Sequence, residues 1–345
     1  MFKLSLDRLG DLFAGIARER VFYLPVEREG GADFGQWTPE ASVCLNYLNT
    51  ARSIKDFFLP QTENIVEFRR EGKKILIAPS REAPVPFVVF GARGCDVRSL
   101  DVLDKVFLSD PVDTFYKAQR ENGIIISLAC AEPEETCFCG LFDIDAGEPE
   151  GDVVTRIVGD VLYWEAKTTA GKSLSDALRG ILSEADAEDG TRAEESKRAT
   201  RAALKELPLA KLSLDGWGED TLLEKFGSGF WGKLSQACVG CGTCTYICPT
   251  CQCYDIQDFD TGHGIRRFRC WDSCMFSDFT LMAHGNPRKS QLERFRQRFM
   301  HKLVYFPANN DGMYSCVGCG RCVTKCPISM NIVKVIKALG GNVNV

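Results

Sequence analysis

Eight of the seventeen cysteines in this chain form two runs with one spacing. Both runs read C-x2-C-x2-C-x3-C-P, the spacing with which bacterial proteins bind two [4Fe–4S] clusters. In that arrangement three thiolates of a run hold one cube, and the fourth ligates the other cube because the following proline turns the chain. The first cysteine run is Cys238, Cys241, Cys244 and Cys248, and the second cysteine run is Cys316, Cys319, Cys322 and Cys326.

The spacing therefore predicts two ligand sets that cross between the runs. A single run could bind zinc by coincidence, but two complete runs, closed by Pro249 and Pro327, favour iron–sulfur clusters. The expected ligands are Cys238, Cys241, Cys244 and Cys326 for cluster 1, and Cys316, Cys319, Cys322 and Cys248 for cluster 2.

A third cysteine set lies in the N-terminal half and consists of Cys95, Cys130, Cys137 and Cys139. Two apolar segments of strand length, Pro86–Phe90 and Ile124–Leu128, precede the first two of these cysteines. If the strands are parallel neighbours, the thiols meet at the carboxyl edge of a sheet, where open α/β sheets bind ligands. We expect a third [4Fe–4S] cluster here; zinc or unligated buried thiols are the alternatives.

Five cysteines remain outside these sets. Cys251 and Cys253 follow the first cysteine run directly, and Cys270 and Cys274 lie further along the chain. They could form a fourth metal site, or pack beside the clusters with their S–H groups donating to cluster sulfurs, which is one influence on reduction potential. Cys44 is isolated in sequence and is expected in the core.

The elements that must position these thiols differ between the two halves. In the N-terminal half, Leu4–Arg18 is expected to be helical, and a helix over Val97–Phe107 connects the two strands named above as a right-handed βαβ unit. The predicted fold is an α/β N-terminal domain with a partly parallel sheet, followed by an α-helical, ferredoxin-like C-terminal domain with two [4Fe–4S] clusters.

Changes in composition suggest three segments: an α/β domain over residues 1–184, a charged connector over 185–216, and a dicluster domain with a long insert over 217–345. The insert contains a predicted helix, Gln291–Val304, with one apolar and one basic face. The basic face carries Arg294, Arg296, Arg298 and Lys302. These cations either face solvent or offset the negative charge of the clusters and steer an acidic partner.

Composition excludes several classes of function. The net charge of −5 and the absence of a basic pole argue against nucleic-acid binding. No apolar run reaches about 18 residues, so no membrane span is expected. The N-terminus lacks the pattern of a signal peptide, which predicts a cytoplasmic protein, where many cysteines indicate metal ligation more often than disulfides.

Several long segments together resemble one family of iron–sulfur subunits. They include CVGCGTCTYICPTCQCYDIQD, RCWDSCMFSDF, RFRQRFMHKLVYFP, CVGCGRCVTKCP, FLPQTE, GARGCDVRSLDVLDKVF and ACAEPEETCFCG. The sequence resembles the beta (iron–sulfur) subunit of cytoplasmic sulfhydrogenases. It equally resembles the corresponding iron–sulfur subunit of anaerobic sulfite reductase and that of flavin oxidoreductases that work with heterodisulfide reductase. The resemblance spans nearly the whole chain, apart from the charged connector.

The resemblance implies a component of an anaerobic multisubunit oxidoreductase. Such components relay single electrons between a flavin/NAD(P)H-binding subunit, on one side, and a separate catalytic subunit of hydrogenase, sulfite reductase or heterodisulfide reductase type. We expect no catalytic residue and no substrate site on this chain. The stretch Gly227–Gly232 matches G-x-G-x-x-G, but it follows no convincing strand, so no dinucleotide cofactor site is expected.

Two other functions remain open from the sequence. The chain could reduce a sulfur compound such as polysulfide through thiolate attack by Cys251, Cys253, Cys270 or Cys274. Alternatively, the clusters could form a structural or sensing module whose loss changes partner binding.

Overall fold

The computed structural model describes residues 1–80 and 83–340. In these ranges the strands are β1 (Phe2–Ser5), β2 (Val21–Arg28), β3 (Gly31–Gln36), β4 (Thr62–Glu71), β5 (Lys74–Pro79), β6 (Phe87–Ala92), β7 (Gly123–Leu128), β8 (Val153–Val158), β9 (Val161–Ala166), β10 (Ser183–Glu184), β11 (Tyr254–Asp260) and β12 (Ile265–Trp271).

The helices are mostly short. The α-helices are α1 (Leu9–Ile16), α2 (Lys55–Phe58), α3 (Gly94–Phe107), α4 (Thr114–Asn122), α5 (Thr169–Ala177), α6 (Ala187–Glu206), α7 (Leu222–Gly227), α8 (Phe230–Ser235), α9 (Thr243–Tyr246), α10 (Gln291–Met300), α11 (Phe306–Asn309), α12 (Arg321–Thr324) and α13 (Ile332–Leu339). Short 3₁₀ turns occur at Leu6–Arg8, Cys139–Phe142, Glu219–Thr221 and Asp278–Thr280, and a π-helical turn, His301–Tyr305, continues α10. No helix in the described ranges is both long and apolar enough to cross a membrane.

The larger sheet is mixed and has the strand order β10-β1-β9-β8-β7-β6-β2-β3. Its centre is parallel, since β2 pairs with β6, β6 with β7, and β7 with β8 in the same direction. The predicted βαβ unit is therefore confirmed: β6 leads through α3 and α4 into β7. The central strands are buried over almost their whole length, which explains their continuous runs of apolar residues.

The N-terminus departs from the sequence prediction. Residues predicted to begin a helix at Leu4 instead form β1, which pairs with β9 and β10, and α1 begins only at Leu9. Strand pairing at the sheet edge overrides the local helical pattern here. The β2–β3 hairpin was not predicted, although Gly30-Gly31 between two apolar segments is a recognised turn signal.

A second sheet of four antiparallel strands has the order β11-β12-β4-β5. It combines one hairpin from residues 62–79 with another from residues 254–271, so it links two parts of the chain that are far apart in sequence. Its outer strands β5 and β11 are exposed along their full length.

One apolar core links the carboxyl edge of the larger sheet to the C-terminal helices. It includes Phe138 and Phe142 from the N-terminal half, and Trp231, Phe295, Phe299 and Ile336 from the C-terminal half. The predicted connector, 185–216, contains α6, whose buried Thr200 donates a 2.7 Å hydrogen bond to the Cys130 carbonyl. The predicted C-terminal range, 217–345, ends in five residues that lie outside the described part.

Candidate metal centres

Each predicted thiol quartet lines one cavity in the folded chain. Cavity I is lined by Cys238, Cys241, Cys244 and Cys326. Cavity II is lined by Cys248, Cys316, Cys319 and Cys322. Cavity III is lined by Cys95, Cys130, Cys137 and Cys139. The structure thus brings together all twelve predicted ligands in the predicted groups, including the crossing of Cys248 and Cys326 between the two runs.

The two cysteine runs adopt the same local backbone. Each contains two glycines in the left-handed region, with φ of 67° at Gly240 and 74° at Gly242, and 60° at Gly318 and 77° at Gly320. A short helix, α9 or α12, begins immediately after the second glycine. Residues with a Cβ rarely adopt these φ values, so the glycines allow the loop to fold around its cavity.

Backbone N–H groups of these loops point at the thiol sulfurs. The Gly318 amide donates to Cys316 and the Arg321 amide to Cys319, and in the first loop the Thr243 amide donates to Cys241. Such N–H···S bonds stabilise sulfur in its charged, metal-bound form.

Cavity III lies at the carboxyl edge of the larger sheet. Cys130 follows β7 directly, Cys95 lies in the first turn of α3, and the other two cysteines lie in the loop between β7 and β8. The guanidinium of Arg93, buried between β6 and α3, holds this edge together. It donates to the backbone carbonyls of Leu45, Tyr47, Leu48, Leu128 and Ala129.

Cavities II and III are neighbours and share a lining residue, Cys319. The loop of the second cysteine run packs directly against the loop of cavity III, since the Phe138 amide donates a 2.9 Å hydrogen bond to the Gly318 carbonyl. A buried ion pair joins the same regions: Arg321 Nη1 lies 2.7 Å from Asp96 Oδ1, and both side chains are almost completely inaccessible.

Cavities I and II share a different residue, Arg298 of α10. Its Nη2 donates a 2.9 Å hydrogen bond to the Cys244 carbonyl. Lys302, one helical turn later, lines cavity II, and its Nζ lies 3.4 Å from the Cys248 sulfur. The three cavities therefore follow one another in the order I, II, III.

Burial controls the protonation of the free thiols. Loss of solvent raises the pKa of Cys137, Cys139, Cys316 and Cys322 to about 12 each. At the first loop, hydrogen bonds with the side chain and backbone of Thr243 lower the pKa of Cys241. Buried thiols of this kind keep their protons at neutral pH, so a bound metal must displace protons from them.

The donor chemistry of the cavities fits iron–sulfur cubes. All seventeen cysteines are free thiols, and each cavity contributes four sulfurs, the ligand number of a [4Fe–4S] cluster. The remaining lining is largely apolar, as with Phe295, Phe299 and Met275 in cavity I. Over residues 1–80 and 83–340, no three His, Cys, Asp or Glu side chains approach closely enough to hold a single metal ion.

Two of the other cysteines lie beside predicted ligands, Cys251 near Cys248 and Cys274 near Cys244. The Cys251 thiol donates to the sulfur of Cys248, and Cys274 donates to Cys253. Cys270 lies partly exposed in β12 and pairs across the sheet with Asp255. The first contact places an S–H group next to a predicted cluster ligand, and both packing beside a cluster and a fourth metal site stay predictions.

Sequence reasoning missed the polar groups that hold the loops in place. Asp96, Arg321 and Asn49 are examples; the Asn49 amide donates to the Cys319 carbonyl at 3.1 Å. Arg321 and Asp96 are each next to a predicted cysteine ligand in the sequence, so their closeness to a site could have been noticed. Their ion pair joins residues 225 positions apart, and it depends on the tertiary fold.

Comparison with known proteins agrees with the geometry. Residues 237–330 match the family model described as a 4Fe-4S dicluster domain. The chain is 29% identical to sulfhydrogenase 2 subunit beta of Pyrococcus furiosus over 336 residues, which cover 97% of this chain and 96% of that protein. No solved structure matches the chain.

These findings confirm the resemblance inferred from the motifs. The family model confirms a 4Fe-4S domain in the C-terminal region, and the structure confirms a mixed sheet with parallel strands in the N-terminal region. The identity extends over both regions, so the similarity is not confined to the cysteine runs.

Proposed function

We propose that this chain is an electron-transfer subunit with [4Fe–4S] clusters in cavities I, II and III. The observation that carries the proposal is the continuity of the three thiol quartets. Cavities I and II share Arg298, and cavities II and III share Cys319. Clusters in neighbouring sites of this kind could pass single electrons from one end of the row to the other.

The same proposal includes the ligand assignment. Cluster 1 is held by Cys238, Cys241, Cys244 and Cys326, cluster 2 by Cys248, Cys316, Cys319 and Cys322, and cluster 3 by Cys95, Cys130, Cys137 and Cys139. When bound, a [4Fe–4S] cluster supplies one-electron storage at a potential set by charge, hydrogen bonds and burial.

The chain's own side chains would then control the surroundings of each cluster. The thiols provide the ligands, and the amides of Gly318, Arg321 and Thr243 donate hydrogen bonds to their sulfurs. Phe295 and Phe299, each almost fully buried, exclude water from cavity I. None of these roles requires a nucleophile or a general base on this chain.

We infer that the chain works with two partners, a flavin/NAD(P)H-binding subunit together with a catalytic redox subunit, in an anaerobic, cytoplasmic complex. Support comes from the similarity to a protein named as the beta subunit of a sulfhydrogenase. Hydrogenase, sulfite reductase and heterodisulfide reductase partners are all compatible with this role. In this arrangement the substrate site belongs to the catalytic partner.

We interpret residues 217–345 as a ferredoxin-like domain with a long insert, joined through residues 185–216 to an α/β domain over residues 1–184. The matching glycine geometry of the two cysteine runs supports this, because it repeats the same loop-and-helix unit.

Iron and acid-labile sulfide analysis of the anaerobically purified full chain tests the cluster content. Three clusters predict about twelve irons per chain, at four per cube. Low-temperature electron paramagnetic resonance of the reduced protein should show signals of [4Fe–4S] centres. An iron content of about eight per chain would contradict cluster 3 but agree with clusters 1 and 2. Zinc in place of iron would overturn the whole proposal.

A matched variant distinguishes the two iron counts. Cys137→Ser removes one thiol from cavity III only, whereas Cys44→Ser removes a thiol that lies outside all three cavities. If cluster 3 exists, the first variant loses about four irons and the second loses none. Equal iron in the two variants would argue against a cluster in cavity III.

Electron transfer itself is tested by mixing the full chain with a chemically reduced flavin donor and an artificial acceptor. A relay predicts that the chain accelerates transfer and that Cys241→Ser slows it. A sulfur-compound reductase instead predicts polysulfide turnover by the isolated chain, lost in Cys253→Ser or Cys274→Ser with iron content unchanged. The contact between these two thiols is the observation that favours that second candidate.

A further inference from the structure

α10 and the π-helical turn that continues it carry the predicted basic face. From the sequence alone, these cations could either face solvent or offset cluster charge. Ser290 caps the helix start, since its hydroxyl accepts a hydrogen bond from the Glu293 amide. Arg298 and Lys302, four positions apart, lie on one face. They are only 2% and 3% exposed, whereas Arg296 of the same helix remains partly exposed.

Arg298 is buried between cavities I and II with most of its hydrogen-bonding capacity unused. Its Nη2 donates to the Cys244 carbonyl, but its Nε and Nη1 are buried without any hydrogen-bond partner in the described part of the chain. Unpaired donors on a buried guanidinium are costly, so their presence indicates a missing acceptor. The side chain lines both cavities, so the acceptor belongs there.

Lys302 is buried beside cavity II. Its Nζ donates to the Thr250 hydroxyl at 2.8 Å and to the Ser315 carbonyl at 2.9 Å, and it lies 3.4 Å from the Cys248 sulfur. The first two partners are neutral. The thiol sulfur is therefore the group in this set that can carry a compensating negative charge.

Two other buried arginines have carboxylate partners, whereas buried Arg93 donates to backbone carbonyls instead. Arg321 pairs with Asp96, and Arg269 pairs with Asp113 and Glu63. Neither Arg298 nor Lys302 has a carboxylate within ion-pair distance among residues 1–80 and 83–340. A buried charge without a counterion costs several kcal/mol, so an anion in the cavities would stabilise both cations.

Metal-bound thiolates in the cavities would provide that charge, because Lys302 Nζ lies 3.4 Å from the Cys248 sulfur and Arg298 lines both cavities.

We propose that Arg298 and Lys302 are internal counterions that raise the reduction potentials of the clusters, Arg298 for clusters 1 and 2 together and Lys302 for cluster 2 alone. The inference depends on the proposed clusters in cavities I and II. Accepting one electron adds one negative charge to a cluster, and a buried cation stabilises that reduced form. Both cations line cavity II, so a cluster held there would be the more easily reduced member of the pair.

Redox titration of the full chain, followed by electron paramagnetic resonance, tests this inference. Arg298→Met should make the midpoint potentials of both clusters more negative, and Lys302→Met should do so for cluster 2 only. We expect at least a tenfold change in the one-electron reduction equilibrium, which corresponds to about 59 mV. The Cys241→Ser background, which lacks a cluster 1 ligand, identifies the cluster 2 signal.

Three variants control for effects other than charge. Arg296→Met removes the same charge from the same helix but leaves the cavities untouched, so both potentials should stay unchanged. Arg298→Lys and Lys302→Arg keep the positive charge and should retain most of the parent potential. If Arg298→Met does not fold, the midpoint potentials of Lys302→Met test the inference. This variant should shift the potential of cluster 2 only.

The outcomes separate this inference from the proposed function. If the purified protein contains no iron, the proposed clusters themselves are wrong. Protein with a full set of clusters, but with potentials that do not respond to Arg298→Met or Lys302→Met, would overturn only the counterion role. An equal shift in Arg296→Met would show that the effect arises from net charge rather than from burial.

Discussion

The two cysteine runs have nearly the same sequence and the same loop conformation, but very different surroundings. Val239 in the first run is 67% exposed, whereas its counterpart Val317 in the second run is 3% exposed. Cys241 is exposed, and its counterpart Cys319 is buried between cavities II and III. The first loop therefore lies at the surface, and the second is an interior junction between the two halves of the molecule.

This difference indicates how a repeated motif can take two roles. The first loop could exchange electrons with a partner, because its cavity lies close to the surface. The second loop contacts Phe138 and Thr136 through its glycines and Asp96 through Arg321, so it holds cavity II against cavity III. Loops with the same ligand spacing would then hold a cluster at one end of the row, in cavity I, and a cluster in the middle, in cavity II.

The largest expected effect concerns the counterpart cysteines themselves. Cys319→Ser should remove cluster 2 and disturb cluster 3, because Cys319 lines both cavities. Cys241→Ser should affect cluster 1 alone, with a loss of about four irons. Iron analysis and electron paramagnetic resonance of both variants measure the difference, and equal losses would contradict the distinction between the loops.

The glycines offer a second comparison. A Cβ at Gly318 would overlap the Phe138 carbonyl, whereas a Cβ at Gly240 would lie 3.1 Å from the flexible end of Gln291. Both positions have left-handed φ and share a cost of about 1–2 kcal/mol for alanine. We expect Gly318→Ala to destabilise by about 1–3 kcal/mol more, as for other overpacked sites.

Chemical denaturation of the anaerobic protein measures this difference in unfolding free energy. Gly240→Ala is the control for the backbone cost alone. If the two alanine variants have the same stability, the packing of the second loop against the N-terminal half contributes nothing.

Arg321 and Thr243 occupy equivalent positions in the two loops. Arg321→Thr leaves the buried carboxylate of Asp96 without its cation, which typically costs about 3–5 kcal/mol. The double variant Arg321→Met with Asp96→Leu should be less destabilised than Arg321→Thr, because no charge remains unpaired. Denaturation midpoints of the parent and the two variants test this, and a double variant as destabilised as Arg321→Thr would contradict it.

The smallest expected effect is kinetic. Because Cys241 is exposed and Cys319 is not, an iron chelator or dissolved oxygen should attack cluster 1 several times faster than cluster 2. Loss of the two electron paramagnetic resonance signals over time, with the Cys241→Ser protein as reference for cluster 2, measures the rates. Simultaneous loss would show that solvent access does not distinguish the clusters.

Much of the candidate site could be predicted because the information is local or depends on simple sheet geometry. The spacing of the cysteine runs, with Pro249 and Pro327, predicted the two crossed quartets that line cavities I and II. The strands before Cys95 and Cys130 predicted a shared sheet edge, since parallel strands end together. Element boundaries at the N-terminus were less predictable, because the pairing of β1 with β9 is a long-range contact.

The amino-acid sequence by itself determined which cysteines are grouped in cavities I and II and the conformation of their loops, because cysteine spacing and glycine φ values act within a few residues. Only the tertiary structure decided which loop is buried, which cations face the cavities, and which carboxylates pair with the others. Arg296 and Arg298 are alike in sequence, yet one stacks at 3.6 Å on the partly exposed Phe226 ring and the other lies between two thiol quartets. Burial and charge pairing depend on which distant segments pack together, and local patterns do not contain that information.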